Sequence, residues 1–234
     1  MTQLDHPITI ESFALIDQEI EDHSFTPQEY DVVRRIIHAT ADFEFAALTH
    51  FSPTAIACGL DALSTGAPIV VDVNMVHQGI RRRVQQTFQN PIWVAVEQAE
   101  RAEPGLTRTE TGLLRCWQRC PQGIYVIGNA PTALLALCRC LDQRPDLAPA
   151  LIVGAPVGFV AVEASKAMLA RCPVPQILIQ GRKGGSAVAA AVVNALLGMA
   201  WMQSPAAPQP NLATPSAPTP QLQPKAQFQQ PHGQ

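Results

Sequence analysis

Two periodicities divide this chain. Over residues 10–20 the apolar positions Ile10, Phe13, Ala14, Ile16 and Ile20 follow the spacing of one helix face. A second helix is predicted from Thr26, with Pro27 at the first helical position and Glu29 three residues after the threonine. It runs through Tyr30, Val33, Ile36 and Ile37 to His38. A third is expected to open at Ser52-Pro53 and end near Gly66. The pattern then changes. Pro68-Ile69-Val70-Val71-Asp72-Val73 is a β-branched run without polar alternation, as in a strand covered on both faces. Similar short runs recur at residues 92–96, 124–127, 151–153 and 177–179, separated by helical stretches at 76–83, 112–119, 131–141 and 161–171. A last helix is predicted over 184–202. Five strands alternating with helices predict a doubly wound α/β sheet behind a helical N-terminal segment.

Three small-residue turns stand out against this pattern. They are Gly128-Asn129-Ala130-Pro131-Thr132-Ala133, Gly154-Ala155-Pro156-Val157-Gly158-Phe159 and Gly181-Arg182-Lys183-Gly184-Gly185-Ser186. Each follows a strand-like run and opens a helical one, so all three are expected along the carboxyl edge of the sheet, where open α/β sheets bind ligands. Glycine lets backbone approach a ligand closely, and helix N-termini offer amides to anions. The turns predict a site for a sizeable ligand with acidic groups, built mostly from main chain.

Composition narrows the function. Charged residues make up only 15% of the chain and the net charge is −3, which gives no electrostatic footprint for nucleic acid. Arg81-Arg82-Arg83 is read as a solvated helix end. The six cysteines form no C-x-x-C pair and are read as reduced and structural, and no metal-site signature is present. The N-terminus carries no signal-peptide pattern, and the apolar stretch 187–202, interrupted by Asn194, is shorter than a bilayer span, so a cytoplasmic protein without a membrane partner is expected. The last 32 residues hold eight prolines and eight glutamines, too little apolar content to offset chain entropy; a domain over 1–202 and a disordered tail over 203–234 are expected.

His38 is the leading candidate for chemistry. It stands near the end of an amphipathic helix, where the dipole favours its charged form, and Asp42 or Glu44 is placed to fold back on it. Such a histidine is suited to general acid work, or simply caps the helix. Asp72 and Asn74 follow the first strand of the β-branched series and serve either as helix caps or as site residues. Arg108, between two threonines ahead of a helix, and Arg182 with Lys183 are positioned to meet carboxylates. The P-loop, G-x-G-x-x-G, G-x-S-x-G and H-E-x-x-H patterns are missing. Proton transfer or isomerisation therefore fits better than hydrolysis or redox chemistry.

Five segments occur in the order found in one family: Ile36-Ile37-His38-Ala39; Gly66-Ala67-Pro68-Ile69 with Asp72 to Met75; Gly128-Asn129-Ala130-Pro131-Thr132-Ala133-Leu134; Pro156-Val157-Gly158-Phe159-Val160 with Ser165-Lys166; and Gly181-Arg182-Lys183-Gly184-Gly185-Ser186. The chain resembles the precorrin-8X (cobalt-precorrin-8) methylmutases of corrin biosynthesis. It departs from the family pattern at Thr109, usually serine, and at Ala164, where the family has glutamate and Glu163 stands one residue earlier. The resemblance implies a flavodoxin-like α/β/α fold with a mainly parallel five-stranded sheet, a homodimer with sites near the interface, and no cofactor. It also implies migration of a methyl group from C11 to C12 of the macrocycle, giving hydrogenobyrinate or cobyrinate. His38 matches the catalytic histidine, and Ser12 and Arg108 match positions expected to line the pocket. With Asp72, Asn74, Gly128, Asn129, Gly154, Gly158, Gly181, Arg182, Gly184, Gly185 and Ser186, these form the expected site for a corrinoid bearing several carboxylates. The rival expectations are a non-catalytic tetrapyrrole carrier and an enzyme acting on a phosphorylated metabolite.

Overall fold

The strands feed two separate cores, which is why their sequences show no polar alternation. In the computed structural model, which describes residues 4–205, Ile69 and Val71 face one core while Val70 faces the other. The same alternation holds for Ile124 and Val126 against Tyr125 and Ile127, and for Ile177 and Ile179 against Leu178.

The elements run in the order α1 (Pro7–Glu19), α2 (Pro27–Thr40), α3 (Phe45–Leu48), β1 (Thr49–Phe51), α4 (Ala55–Ser64), β2 (Ile69–Val71), α5 (Asn74–Gln86) and β3 (Ile92–Val94), with a 3₁₀ turn at Ala95–Glu97. Then follow α6 (Arg108–Arg119), β4 (Ile124–Ile127), α7 (Pro131–Gln143), β5 (Leu151–Gly154), α8 (Val162–Leu169), β6 (Gln176–Ile179) and α9 (Ser186–Gln203). The sheet order is β1-β6-β5-β4-β2-β3. All pairings are parallel except β1 with β6. Without β1 the five remaining strands have the 2-1-3-4-5 order of flavodoxin-like sheets, whose strand order reverses between β2 and β4.

The described sheet thus has six strands rather than the five expected. Thr49–Phe51 is too short to show a period, and it becomes a strand by pairing Thr49 with Ile179 and Phe51 with Ile177 at the sheet edge. The third predicted helix starts later, at Ala55, because Ser52 is spent on this edge: its hydroxyl accepts from the Gln176 amide at 2.9 Å. The capping box at Thr26 and Glu29 forms as predicted. Arg83 departs from the solvated reading. Its guanidinium pairs with Asp5, which also holds Arg35 at 2.7 Å, so α1's leading end is tied to both α2 and α5.

Helix α9 is alanine-rich and packs against α2, α4 and α5. It is long and apolar enough to cross a membrane, but 61% of that window is buried in the fold, where it serves as a core helix. Helices α6, α7 and α8 cover the other face. Of the expected tail 203–234, residues 206–234 lie outside the described residues, while Gln203 closes α9.

Among the described glycines, Gly112 sits where α6 comes tightest against other backbone, at the 3₁₀ turn. A Cβ on Gly112 would overlap the Ala95 carbonyl. Gly112→Ala should therefore force α6 away from the turn and cost about 3 kcal/mol or more, the upper end of overpacking. A urea denaturation midpoint equal to the parent's would contradict this approach.

Candidate active site

The carboxyl edge of the sheet is assembled from the loops after β2, β4, β5 and β6, and the three glycine turns do different work there. The Gly128 turn is already occupied. Asp72, fully buried at the end of β2, accepts from the amides of Gly128 (3.1 Å), Asn129 (2.6 Å) and Ala130 (2.8 Å). Burial pushes its carboxyl above the ordinary carboxylate range against the pull of these amides. Asp72 thus does not cap α5, whose start has no side-chain cap. It caps the turn before α7, across the point where strand order reverses. Gly128 itself is buried, and a Cβ there would crowd Val76, Ser186 and Ala189. Gly154 likewise lies in β5, where a Cβ would strike Leu169. Both glycines permit packing and offer no surface to a ligand.

The second and third turns are stitched to each other. The Gly185 amide donates to the Ala155 carbonyl (2.8 Å) and the Gly158 amide to the Arg182 carbonyl (3.3 Å). Gly158, Gly181, Gly184 and Gly185 have φ of 142°, 66°, 150° and 114°, where side chains are strained. A Cβ on Gly184 would also strike the Ala155 carbonyl. The loop ends at Gly185, and no side chain caps α9. The first amides of α9, starting at Ser186, lack intrahelical acceptors and carry the positive end of the helix dipole. The starts of α7 and α8, after the other two glycine turns, likewise have no side-chain cap.

Around these turns the surface is apolar and open. Met75, Val157, Phe159 and Val160 all stand exposed, Phe159 and Val160 at 82% and 87%. The Arg182 guanidinium lies 5.8 Å from the Phe159 ring and donates to Glu163 (3.2 Å). Asn74, the first residue of α5, and Asn129, in the turn after β4, are both exposed. Arg108 begins α6 and donates to the Val96 carbonyl (3.0 Å), while Thr107 and Thr132 hydroxyls meet at 2.9 Å. A groove of about 580 Å³, lined by Ala57, Leu60, Phe88 and Ala200 among others, lies at the far end of α9. Ala200 lies 14 residues along the helix from Ser186, about 21 Å at ~1.5 Å per residue, so the groove takes no part in this edge.

His38 lies in the last turn of α2 and is exposed. Its ring meets Phe13 edge-on, with centroids 5.3 Å apart. Arg34 and Arg35 lie over the same phenyl ring at 4.7 and 5.1 Å, and Arg34 also pairs with Asp17 (3.0 Å) and Asp31 (2.5 Å). Helix α1 thus holds the imidazole on one side and places Ser12, whose hydroxyl donates to Ile8, one residue from Phe13. Asp42 and Glu44 do not fold back on His38. Both pair with Lys183, at 2.6 and 2.8 Å, which draws the Asp42 carboxyl below the ordinary carboxylate range. That bridge joins the end of the histidine's helix to the third glycine turn, a contact across 141 residues of sequence.

The family model of precorrin-8X methylmutase matches residues 7–199. The chain belongs to the precorrin-8X methylmutase family. It is 50% identical over 217 residues to the cobalt-precorrin-8 methylmutase of Synechocystis sp., covering 87% of this chain and all of that protein. It is 38% identical over 192 residues to the precorrin-8X methylmutase of Pseudomonas aeruginosa, covering 80% and 91%. The solved precorrin-8X methyl mutase of Thermus thermophilus superposes with a TM-score of 0.76 at 41% identity, covering 85% of this chain and 99% of that one. Methylmutases are isomerases, so the expected reaction class and the α/β fold both hold for this member.

The sequence reading named Lys166 in a family segment without giving it a role, and gave none to Phe13 beside His38. Lys166 is buried yet donates to the Gly181 and Lys183 carbonyls, both at 2.7 Å. A lysine on the apolar stripe of a helix was the signal available.

Proposed function

We propose that this methylmutase moves a methyl group from C11 to C12 of precorrin-8X or its cobalt form, with His38 as the general acid and without a cofactor. The observation that carries the reading is the exposed imidazole of His38, held edge-on by Phe13 and joined through Lys183 to the glycine turns at the sheet's carboxyl edge. A macrocycle with many acidic arms suits an open edge better than an enclosed pocket. Its ring lies against Met75, Val157, Phe159 and Val160. Its carboxylates meet Arg108, Arg182, the amides around Gly184, Gly185 and Ser186, and the polar groups of Ser12, Asn74 and Asn129. Protonation of a ring position by His38 withdraws electron density from the conjugated system and eases the shift of the methyl group, formally a 1,5-sigmatropic migration.

The protein works in the cytoplasm as a homodimer. The uncovered apolar residues at the edge support a partner close to the site, and light scattering tests this as a doubled mass. The activity test is incubation of the purified protein with precorrin-8X and separately with its cobalt form, followed by absorbance. Conversion of one or both spectra to that of the product supports the reading. Binding of both forms without conversion would make the protein a carrier. Indifference to corrinoids together with inhibition by inorganic phosphate would move it to a phosphorylated substrate.

A further inference from the structure

Lys166 is 2% exposed, and its two hydrogen bonds both run to main-chain carbonyls of one loop. Among the described residues no carboxylate lies within ion-pair distance of it. Burial draws its ammonium down to about 8, with Glu163 opposing. A well-packed apolar side chain in its place would avoid this desolvation, so fold stability alone does not account for a lysine here.

Its position shows what it controls. Lys166 grips the carbonyls on either side of Arg182, and the Arg182 carbonyl accepts from Gly158. Three consecutive carbonyls of a loop rich in left-handed glycines are therefore fixed from α8 and from the second turn. One turn earlier on α8, Glu163 takes the Arg182 side chain at the surface. The backbone of Lys183 is thereby set, and its side chain reaches out to Asp42 and Glu44 just past the end of α2. Asp42 in turn accepts from the Glu44 amide at 3.0 Å, closing the bend that follows the histidine's helix.

We infer that Lys166 is a positioning residue, holding the Gly181–Lys183 turn so that Lys183 locks the His38 end of α2 against the carboxyl edge. This rests on the proposed role of His38 as acid. Lys166 touches neither substrate nor the reacting atoms, and acts by fixing where the imidazole stands relative to the bound ring.

The test compares Lys166→Met, Lys183→Met and their double variant as full chains in steady-state methyl transfer. Each single variant should lower kcat roughly tenfold while leaving KM within about twofold, since misplacing a catalytic group penalises the chemical step. The double variant should lose no more than either single one, because both break the same linkage. A Lys166→Met protein that melts earlier but turns over normally when folded would overturn the inference, as would single losses that multiply. Should Lys166→Met fail to fold, the half-exposed Lys183→Met variant decides alone: unchanged kcat refutes the linkage, and a tenfold loss supports it. His38→Ala, measured beside them, separates the two ideas, because near-normal turnover there removes the acid role whatever the lysine variants do.

Discussion

Replacing His38 with alanine is expected to leave the protein folded and able to bind its corrinoid, and to lower turnover by roughly 10²-fold or more, the loss that accompanies removal of a general acid. The fold should survive because the end of α2 does not depend on the imidazole. The helix closes through Ala41 in the left-handed region, with its amide on the Ile37 carbonyl at 2.7 Å. Val33 and Ile37, which pack against Ile16, carry the contact between α1 and α2. His38 itself is exposed and adds an edge-on meeting with Phe13. Affinity for the product should change little, since the carboxylates are assigned to other groups. A melting curve, a binding titration with the product and a turnover measurement on the same preparation separate these effects. Near-parental turnover would reduce His38 to a helix-end residue.

The largest effect on stability is expected at Asp72. Removing its carboxylate in Asp72→Ala leaves the amides of Gly128, Asn129 and Ala130 without their acceptor, two of these residues being buried. An unsatisfied buried donor costs ~1–3 kcal/mol, so a loss of about 3 kcal/mol or more is expected once local relaxation is allowed. Asp72→Asn should fall between the two, because its single carbonyl oxygen replaces at most part of the set and its NH₂ would face a donor. Urea denaturation of the three proteins provides the comparison. An alanine variant as stable as the parent would mean that water or a rearranged turn replaces the carboxylate, and that β2 and the turn before α7 are not tied through this residue.

Asp72 also illustrates where reading the chain succeeded and where it stopped. Its place after a β-branched run showed that it sits at the carboxyl edge, yet its partners lie 56 to 58 residues away. Spacing along one helix or strand says nothing about such contacts. The glycine turns followed the same rule. Each stood where a strand ends and a helix begins, but Gly128 and Gly154 are glycine because side chains from other elements crowd them, whereas Gly181, Gly184 and Gly185 are glycine because their backbone is left-handed. Small-residue content signals both situations alike.

Local physics was enough for the elements. Period-3.6 stripes, the capping box at Thr26, and uninterrupted β-branched runs each arise from interactions within a few residues, so the longer helices, the buried strands and the carboxyl edge of the sheet were legible in the sequence, whereas the four-residue helix Phe45–Leu48 was not. The order of the motifs likewise pointed to the methylmutase family before any contact was known. Tertiary structure alone decided the rest. It made a strand of Thr49–Phe51 through pairing with β6, paired the half-buried Arg83 with Asp5, and turned Asp42 and Glu44 from His38 to Lys183. It also placed the Lys166 ammonium under the third turn. Charges and edge strands are the groups whose favourable state depends on which partner arrives from elsewhere in the chain, because a carboxylate, an ammonium or an open strand edge gains its energy only on meeting a complementary group, and the fold alone determines that meeting.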